Sequence, residues 1–270
     1  MRGHRIYGGP VDLELAGRRA LITGASAGIG RATARLLAAE GAQLVLVARR
    51  LDALETLAAE LEASGPGGTD LEAGGRPRPL CLAADLTDPD APARLREQVT
   101  DRLGGLDILI NNAGRAEPAG VTLDEALWRS QFELNFHAKR RLAEEFLPLL
   151  AAGGQGRVIN LVGILEPFGV SAAQAAVAAC VLWAKGLARV VADRQVTVNC
   201  VAPGRIDSEQ IRAHFPTREA QQEFARGLIP AGRFGTAEEA AALIVFLASG
   251  PARYITGDTF TVDGGMHRSI

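Results

Sequence analysis

Ala20-Leu21-Ile22-Thr23-Gly24-Ala25-Ser26-Ala27-Gly28-Ile29-Gly30 is the stretch whose reading decides the fold. An apolar run enters a glycine-rich turn, and the helix-forming run Arg31 to Glu40 leaves it. That order predicts a strand, a tight turn and a helix. Glycine permits positive φ and close backbone approach, and the free N–H groups and positive dipole end of a helix attract phosphate. The spacing Gly24-x-x-x-Gly28-x-Gly30 differs from the G-x-G-x-x-G fingerprint, so the general motif supports a dinucleotide by mechanism alone and an ordinary βα turn stays open.

Outward from this turn, Ala42 to Ala48 reads as a buried strand and Leu51 to Ala63 shows helical apolar spacing, completing a βαβ unit. An acid closing the second strand would hold a ribose 2′-hydroxyl. Ala48 stands there instead, followed by Arg49 and Arg50. The pair suits a 2′-phosphate and favours NADP(H) over NAD; two solvated arginines opening a helix are the alternative reading. Residues 64–79 are rich in Gly and Pro and read as a surface loop. Strands follow at Leu80–Ala84, Leu106–Ile110, Arg157–Leu161 and Val196–Val201, and helices end near Leu103, run from Leu123 to about Ala151, and span about Ser171 to Ala192. Thr87 or Asp88 is the candidate cap of the first of these helices. Asn111-Asn112-Ala113-Gly114 lies at the carboxyl end of a strand, where open α/β sheets bind ligands.

The chain has 270 residues, 47% of them hydrophobic, with 29 basic and 31 acidic side chains and a formal charge of −2. That length suits one α/β domain, with residues 1–14 as an N-terminal extension and 15–270 as the dinucleotide-binding domain. The near-neutral balance offers no field for nucleic acid or an anionic membrane. The first ten residues hold no apolar core of a leader, and Ala240–Ala248, read as the longest apolar stretch, is too short to span a bilayer, so a cytoplasmic protein is expected. Cys81, Cys180 and Cys200 are scattered in apolar runs and read as buried hydrophobes. No metal site is expected.

Nearly the whole chain, from about Leu15 to Gly265, resembles a short-chain dehydrogenase/reductase of the 3-oxoacyl reductase-like kind. The match rests on Thr23-Gly24-x-x-x-Gly28-Ile29-Gly30, Asp85-Leu86, Asn111-Asn112-Ala113-Gly114, Asn135, Val198-Asn199, Pro203-Gly204, Ile255-Thr256-Gly257 and Val262-Asp263-Gly264-Gly265. The resemblance implies a doubly wound α/β fold of Rossmann type with seven parallel strands, and usually a tetramer. It further implies nucleotide contacts at Thr23, Gly24, Ser26, Gly28, Ile29, Gly30, Arg49, Arg50, Asp85, Leu86, Asn112, Ala113, Gly114, Pro203, Gly204, Ile206 and Ser208.

The resemblance breaks at the chemistry. Such enzymes use Ser, Tyr and Lys, the last two as Tyr-x-x-x-Lys, beside an Asn that holds a water. The Asn falls on Asn135, but the Ser, Tyr and Lys positions fall on Gly163, Ala173 and Val177, and the connection before the last helix is about two residues shorter. No other register restores the motif. The only tyrosines are Tyr7 and Tyr254, the only lysines Lys139 and Lys185, and the residues four before the lysines are Asn135 and Val181. A positioned general acid contributes roughly 10² to 10⁴ in rate, and an oxyanion donor about 10² to 10³. Glu166 and Ser171 are the candidate replacements; a solvated loop acid and a helix N-cap are their plainer readings, and His137 faces elsewhere on its helix.

Three functions stay open: an NADP(H)-dependent oxidoreductase acting on a carbonyl, alcohol or C=C substrate without the usual donor; a silent nucleotide-binding subunit paired with a complete relative in a mixed tetramer; or a non-redox catalyst of rearrangement, elimination or cyclisation. Phe168, Val170, Ile211, Phe215 and Ile229 would line a mainly apolar substrate pocket if residues 208–228 form a lid.

Overall fold

The computed structural model describes residues 11–64, 77–116, 124–166, 169–208, 211–212, 215 and 217–268. Strands β1 (Arg19–Thr23), β2 (Gln43–Ala48), β3 (Leu80–Ala83), β4 (Ile108–Asn111), β5 (Arg157–Leu161), β6 (Thr197–Pro203) and β7 (Thr259–Val262) form one sheet. Its order is β3-β2-β1-β4-β5-β6-β7, and every pairing is parallel, as expected. The first half of the chain runs outward to β3 and then crosses back, placing β4 beside β1 in the register Leu21 to Leu109 and Ile22 to Ile110. The strand order reverses there, and the crevice opens beyond the carboxyl ends of β1 and β4.

A parallel sheet has both faces covered, so its strands alternate between two cores. Leu21, Val45, Leu109 and Val158 face one layer with Leu142, Phe146, Cys180 and Ala184. Ile22, Leu46, Ile110 and Ile159 face the other with Leu37, Leu57, Ile244 and Val245. Helices α1 (Gly28–Ala39) and α2 (Leu51–Ala63) cover this second face. Helix α3 (Ala91–Leu103) lies on the first, and its N-cap is Asp90, not Thr87 or Asp88. Asp88 accepts instead from the Asp90 N–H at 3.0 Å, and the Thr87 hydroxyl is spent on Asp85 at 2.7 Å.

The expected helix from Leu123 is three pieces within the described residues: α4 (Glu125–Phe132), a π-helical turn (Glu133–His137) and α5 (Ala138–Ala152). Leu123 itself lies outside them. Helix α6 (Ala172–Val191) sets Ala173, Ala176, Val177, Cys180, Ala184 and Ala188 against the sheet, while Leu182 and Val190 are 76% and 68% exposed. The unbroken apolar run Ala175–Ala184, and not Ala240–Ala248, is the longer of the two; among the described residues the helical run 172–194 that contains it is long and apolar enough to cross a membrane by length and composition alone, but here it carries one wall of the core. Helices α7 (Arg218–Leu228) and α8 (Ala237–Ala248) precede β7, capped by Thr217 and by the Thr236/Glu239 capping box. Residues 1–10 of the extension and 65–76 of the loop lie outside the described residues. Leu13, within the extension, packs against the second core, and its carbonyl accepts from the Gly250 N–H.

Candidate functional site

The glycine turn is closed by contacts from β4. The Asn112 amide donates to the Thr23 carbonyl at 2.9 Å and the Gly24 carbonyl at 3.1 Å, and the Ala113 N–H donates to the Thr23 hydroxyl at 3.0 Å. Gly24 and Gly28 have φ of +64° and +53°. At Gly30 a Cβ would sit 2.4 Å from the Gly24 carbonyl oxygen and 2.5 Å from Asn112 Nδ2, so no side chain fits. Ala27, the N-cap of α1, makes no side-chain cap, which leaves the N–H groups of that first turn facing the crevice without a side-chain acceptor.

β2 ends at Ala48, and the exposed Arg49 and Arg50 follow it with no hydrogen-bonded partner among the described residues. Asp85 stands near Arg49; the N–H and hydroxyl of Thr87 hold its carboxyl below the usual range. Leu86 is buried in the first core. At the end of β6, a Cβ on Gly204 would lie 2.6 Å from that of Asp263, so the glycine admits the returning chain. Ile206 is buried and bridges to Gly235, and Ser208 lies 3.7 Å from the Cβ position of Gly28. Together with Ser26, Arg31 and Arg35, Ser208 borders a cleft of about 480 Å³. Sequence reasoning missed Arg31 and Arg35; their i, i+4 spacing at the start of α1 was the available signal, and both are paired with Glu60.

The opposite wall differs in kind. Asn135 is buried within the π turn. Its amide donates to the Arg115 carbonyl at 2.9 Å and to Gln131 at 3.2 Å, while its oxygen accepts from the Arg115 N–H at 3.1 Å. That side chain therefore ties the loop after β4 to the helix. Gly163 has φ of +69°, a conformation that disfavours serine, although nothing lies within 4 Å of its Cβ position. Ala173 and Val177 lie one turn apart on α6, 6% and 7% exposed. Ser171 caps α6, its oxygen accepting from the Gln174 N–H at 3.3 Å. Gln174, which sequence reasoning overlooked, donates to the carbonyls of Ile164 at 3.4 Å and Glu166 at 2.7 Å, so it is the backbone of Glu166 that this contact engages. His137 packs on Phe136.

Ile229 is buried, and Ile211 and Phe215 are partly buried against it. They pack with Ile164, Phe224, Phe234 and Met266 in a third small cluster, in which the Phe215, Phe224 and Phe234 rings meet edge-on 4.9–5.8 Å apart. Val170 is exposed, and Phe168 lies outside the described residues. Cys180 and Cys200 are buried, the Cys200 thiol pushed up to about 12 by burial, and Cys81 is half-buried; all three are free.

Residues 24–267 match the family described as enoyl-(acyl carrier protein) reductase. Nodulation protein G of Rhizobium sp. (strain N33) is 38% identical over 257 residues, covering 94% of this chain and 98% of that protein. The 3-oxoacyl-[acyl-carrier-protein] reductase FabG of Vibrio cholerae is 36% identical over 259 residues, covering 94% and 99%. Among solved structures, L-sorbose reductase from Gluconobacter frateurii, complexed with NADPH and L-sorbose, superposes with a TM-score of 0.87 at 32% identity, covering 96% of this chain and all of that one. The chain belongs to the short-chain dehydrogenase/reductase family.

Proposed function

We propose that this short-chain dehydrogenase/reductase binds NADP(H) in the β1–β4 crevice and is an atypical oxidoreductase, slow toward simple ketones because its chemical wall lacks the usual proton donor. The observation that carries the reading is the contrast within one cleft. The phosphate turn is fully assembled, with Gly30 sealed against Asn112 and the α1 N-terminus left open. Gly163, Ala173 and Val177 meanwhile carry no hydroxyl, phenol or ammonium. A cleft released from nucleotide binding would have no physical need of that turn.

The residues fit the cofactor. The α1 N–H groups and dipole suit its pyrophosphate, and Arg49 and Arg50 suit a 2′-phosphate. Bound NADPH supplies hydride. The protein then contributes orientation and exclusion of water, with proximity as its main source of acceleration. Exposed Leu182 and Val190 on α6 favour burial against another subunit, which suits a homotetramer or a mixed tetramer with a complete relative.

Titration with NADPH and NADH, followed by assay on a panel of carbonyl and C=C substrates, tests the reading. NADPH is expected to bind at least about tenfold tighter than NADH, about 1.4 kcal/mol, with weak turnover of simple ketones. Failure of both nucleotides to bind favours the non-redox reading. Co-purification with a complete relative favours the silent subunit, and a monomer at micromolar concentration in light scattering removes the tetramer.

A further inference from the structure

Among the described residues, Lys139 is a buried charged side chain at the crevice end of the wall that lacks the triad, whereas the buried Arg157 begins β5 at the strand's other end. Lys139 is 3% exposed, near the start of α5 and one helical turn after Asn135. Residues at i and i+4 share a helix face, so Lys139 points where Asn135 points, toward the ends of β4 and β5. Its Nζ donates to the carbonyl of Leu161, the last residue of β5, and lies 3.9 Å from the Cβ position of Gly114, in the loop after β4. The Asn111 amide of β4 fixes the Lys139 backbone carbonyl from below at 3.3 Å. The amine therefore sits between the two strand ends that floor the crevice.

The ionisable groups facing it from the packed elements are two thiols, Cys180 of α6 and Cys200 of β6, both raised by burial and so neutral near pH 7. No carboxylate pairs with Lys139 among the described residues. Burial without a counter-ion pushes its amine below the ordinary 10.5. A merely structural position would be filled more favourably by an apolar side chain, because a buried ammonium without a partner is costly. Val177, at the position where the resemblance expects an ammonium, is one turn before Cys180 on the helix that faces Lys139.

We propose that Lys139 is a titrating group of the dinucleotide cleft: from α5 it supplies the amine that α6 lacks, and its protonation is linked to the redox state of the bound nicotinamide. A proton on Nζ opposes the cationic oxidised ring and leaves the neutral reduced ring unopposed. By reciprocity, NADP⁺ must make Lys139 release its proton at lower pH than NADPH does. The inference rests on the proposed binding of NADP(H) and goes beyond it by assigning charge discrimination to a residue outside the family's motif.

With only two lysines in the chain, protein labelled with ¹³C at lysine Cε gives two signals, and Lys185→Gln assigns them. Calorimetry first measures NADP⁺ and NADPH binding, and each complex is then titrated from pH 6.5 to 10. The expected result is a Lys139 midpoint about one pH unit lower with NADP⁺ than with NADPH, equal to a tenfold linkage, and a Lys185 midpoint common to both. In Lys139→Met the ratio of NADP⁺ to NADPH dissociation constants should no longer vary with pH. If both nucleotides bind and Lys139 titrates at one pH in both complexes, or in neither, the inference is overturned and the proposed function stands. If neither binds, both fall together.

Discussion

Along the β1–β2 flank of the crevice the opening N–H groups of α1 have no side-chain cap, and Arg49 and Arg50 have no hydrogen-bonded partner or ion pair among the described residues. Along the β4–β5–α6 flank, by contrast, Asn135 is spent on Arg115, Gln174 on Ile164 and Glu166, and Ser171 on the cap of α6, while Asn111 Oδ1 and Asn160 Nδ2 are buried without a partner. The lesson is energetic. A binding surface must hold unsatisfied donors ready for its ligand, and one whose donors are satisfied internally has been turned into scaffold. On the proposed reading, the same cleft keeps the donors that binding needs while the positions of the usual proton donor carry Gly163, Ala173 and Val177.

The largest test of this contrast is Gly30→Val. With no room even for a Cβ, the turn must part from Asn112, and NADPH affinity should fall at least about 100-fold, some 2.7 kcal/mol, with a drop in thermal midpoint. Near-normal calorimetric binding would show that the turn is not the nucleotide site.

Next in size is the reverse experiment on the other flank. Ala173→Tyr with Val177→Lys should raise ketone reduction by about 100-fold over a near-zero background, and far more than either change alone. Gly163→Ser is best left out, since its φ of +69° would strain the serine. Robust turnover by the unaltered protein would break the contrast, and Glu166→Gln would then ask whether that carboxyl is the donor.

Smaller is the effect of Arg49→Ala, which should erase an NADPH preference of about tenfold while NADH affinity stays within about twofold. An unchanged preference would move the 2′-phosphate site elsewhere, with Arg50 the next substitution.

The subtlest test is stability against pH. Because burial lowers the Lys139 amine below 10.5 in the folded state, the unfolded chain holds a proton that the folded one lacks in the window between those two values. Native stability contributed by this group therefore rises with pH through that window, and its burial cost is greatest below it. Lys139→Met should gain on the wild type by about 1 kcal/mol at pH 7, and the gain should shrink toward pH 10.5 as both chains are compared by urea unfolding. A constant difference across that range would indicate an amine with an ordinary titration.

Much of this was legible in the residues. The turn Thr23–Gly30, the strand pattern of alternating buried runs, and the closure of β2 by Ala48 rather than an acid are local signals, because the conformations and chemistry they encode are set within a few residues of backbone. The absence of Tyr-x-x-x-Lys was a matter of counting two tyrosines and two lysines, and required no fold. Tertiary structure alone decided what lies across space. It brought Lys139 to the end of β5, 22 positions away, where burial in place of solvation changes what an amine can do. It brought Phe215, Phe224 and Phe234 edge-on to one another, a contact between segments that no local pattern announces. Gly163 acquired a positive φ from the path of the β5–α6 connection, which its own identity merely permits. Periodicity and propensity act along the chain, but desolvation and packing depend on which segments meet, and that was fixed only when β4 was laid between β1 and β5.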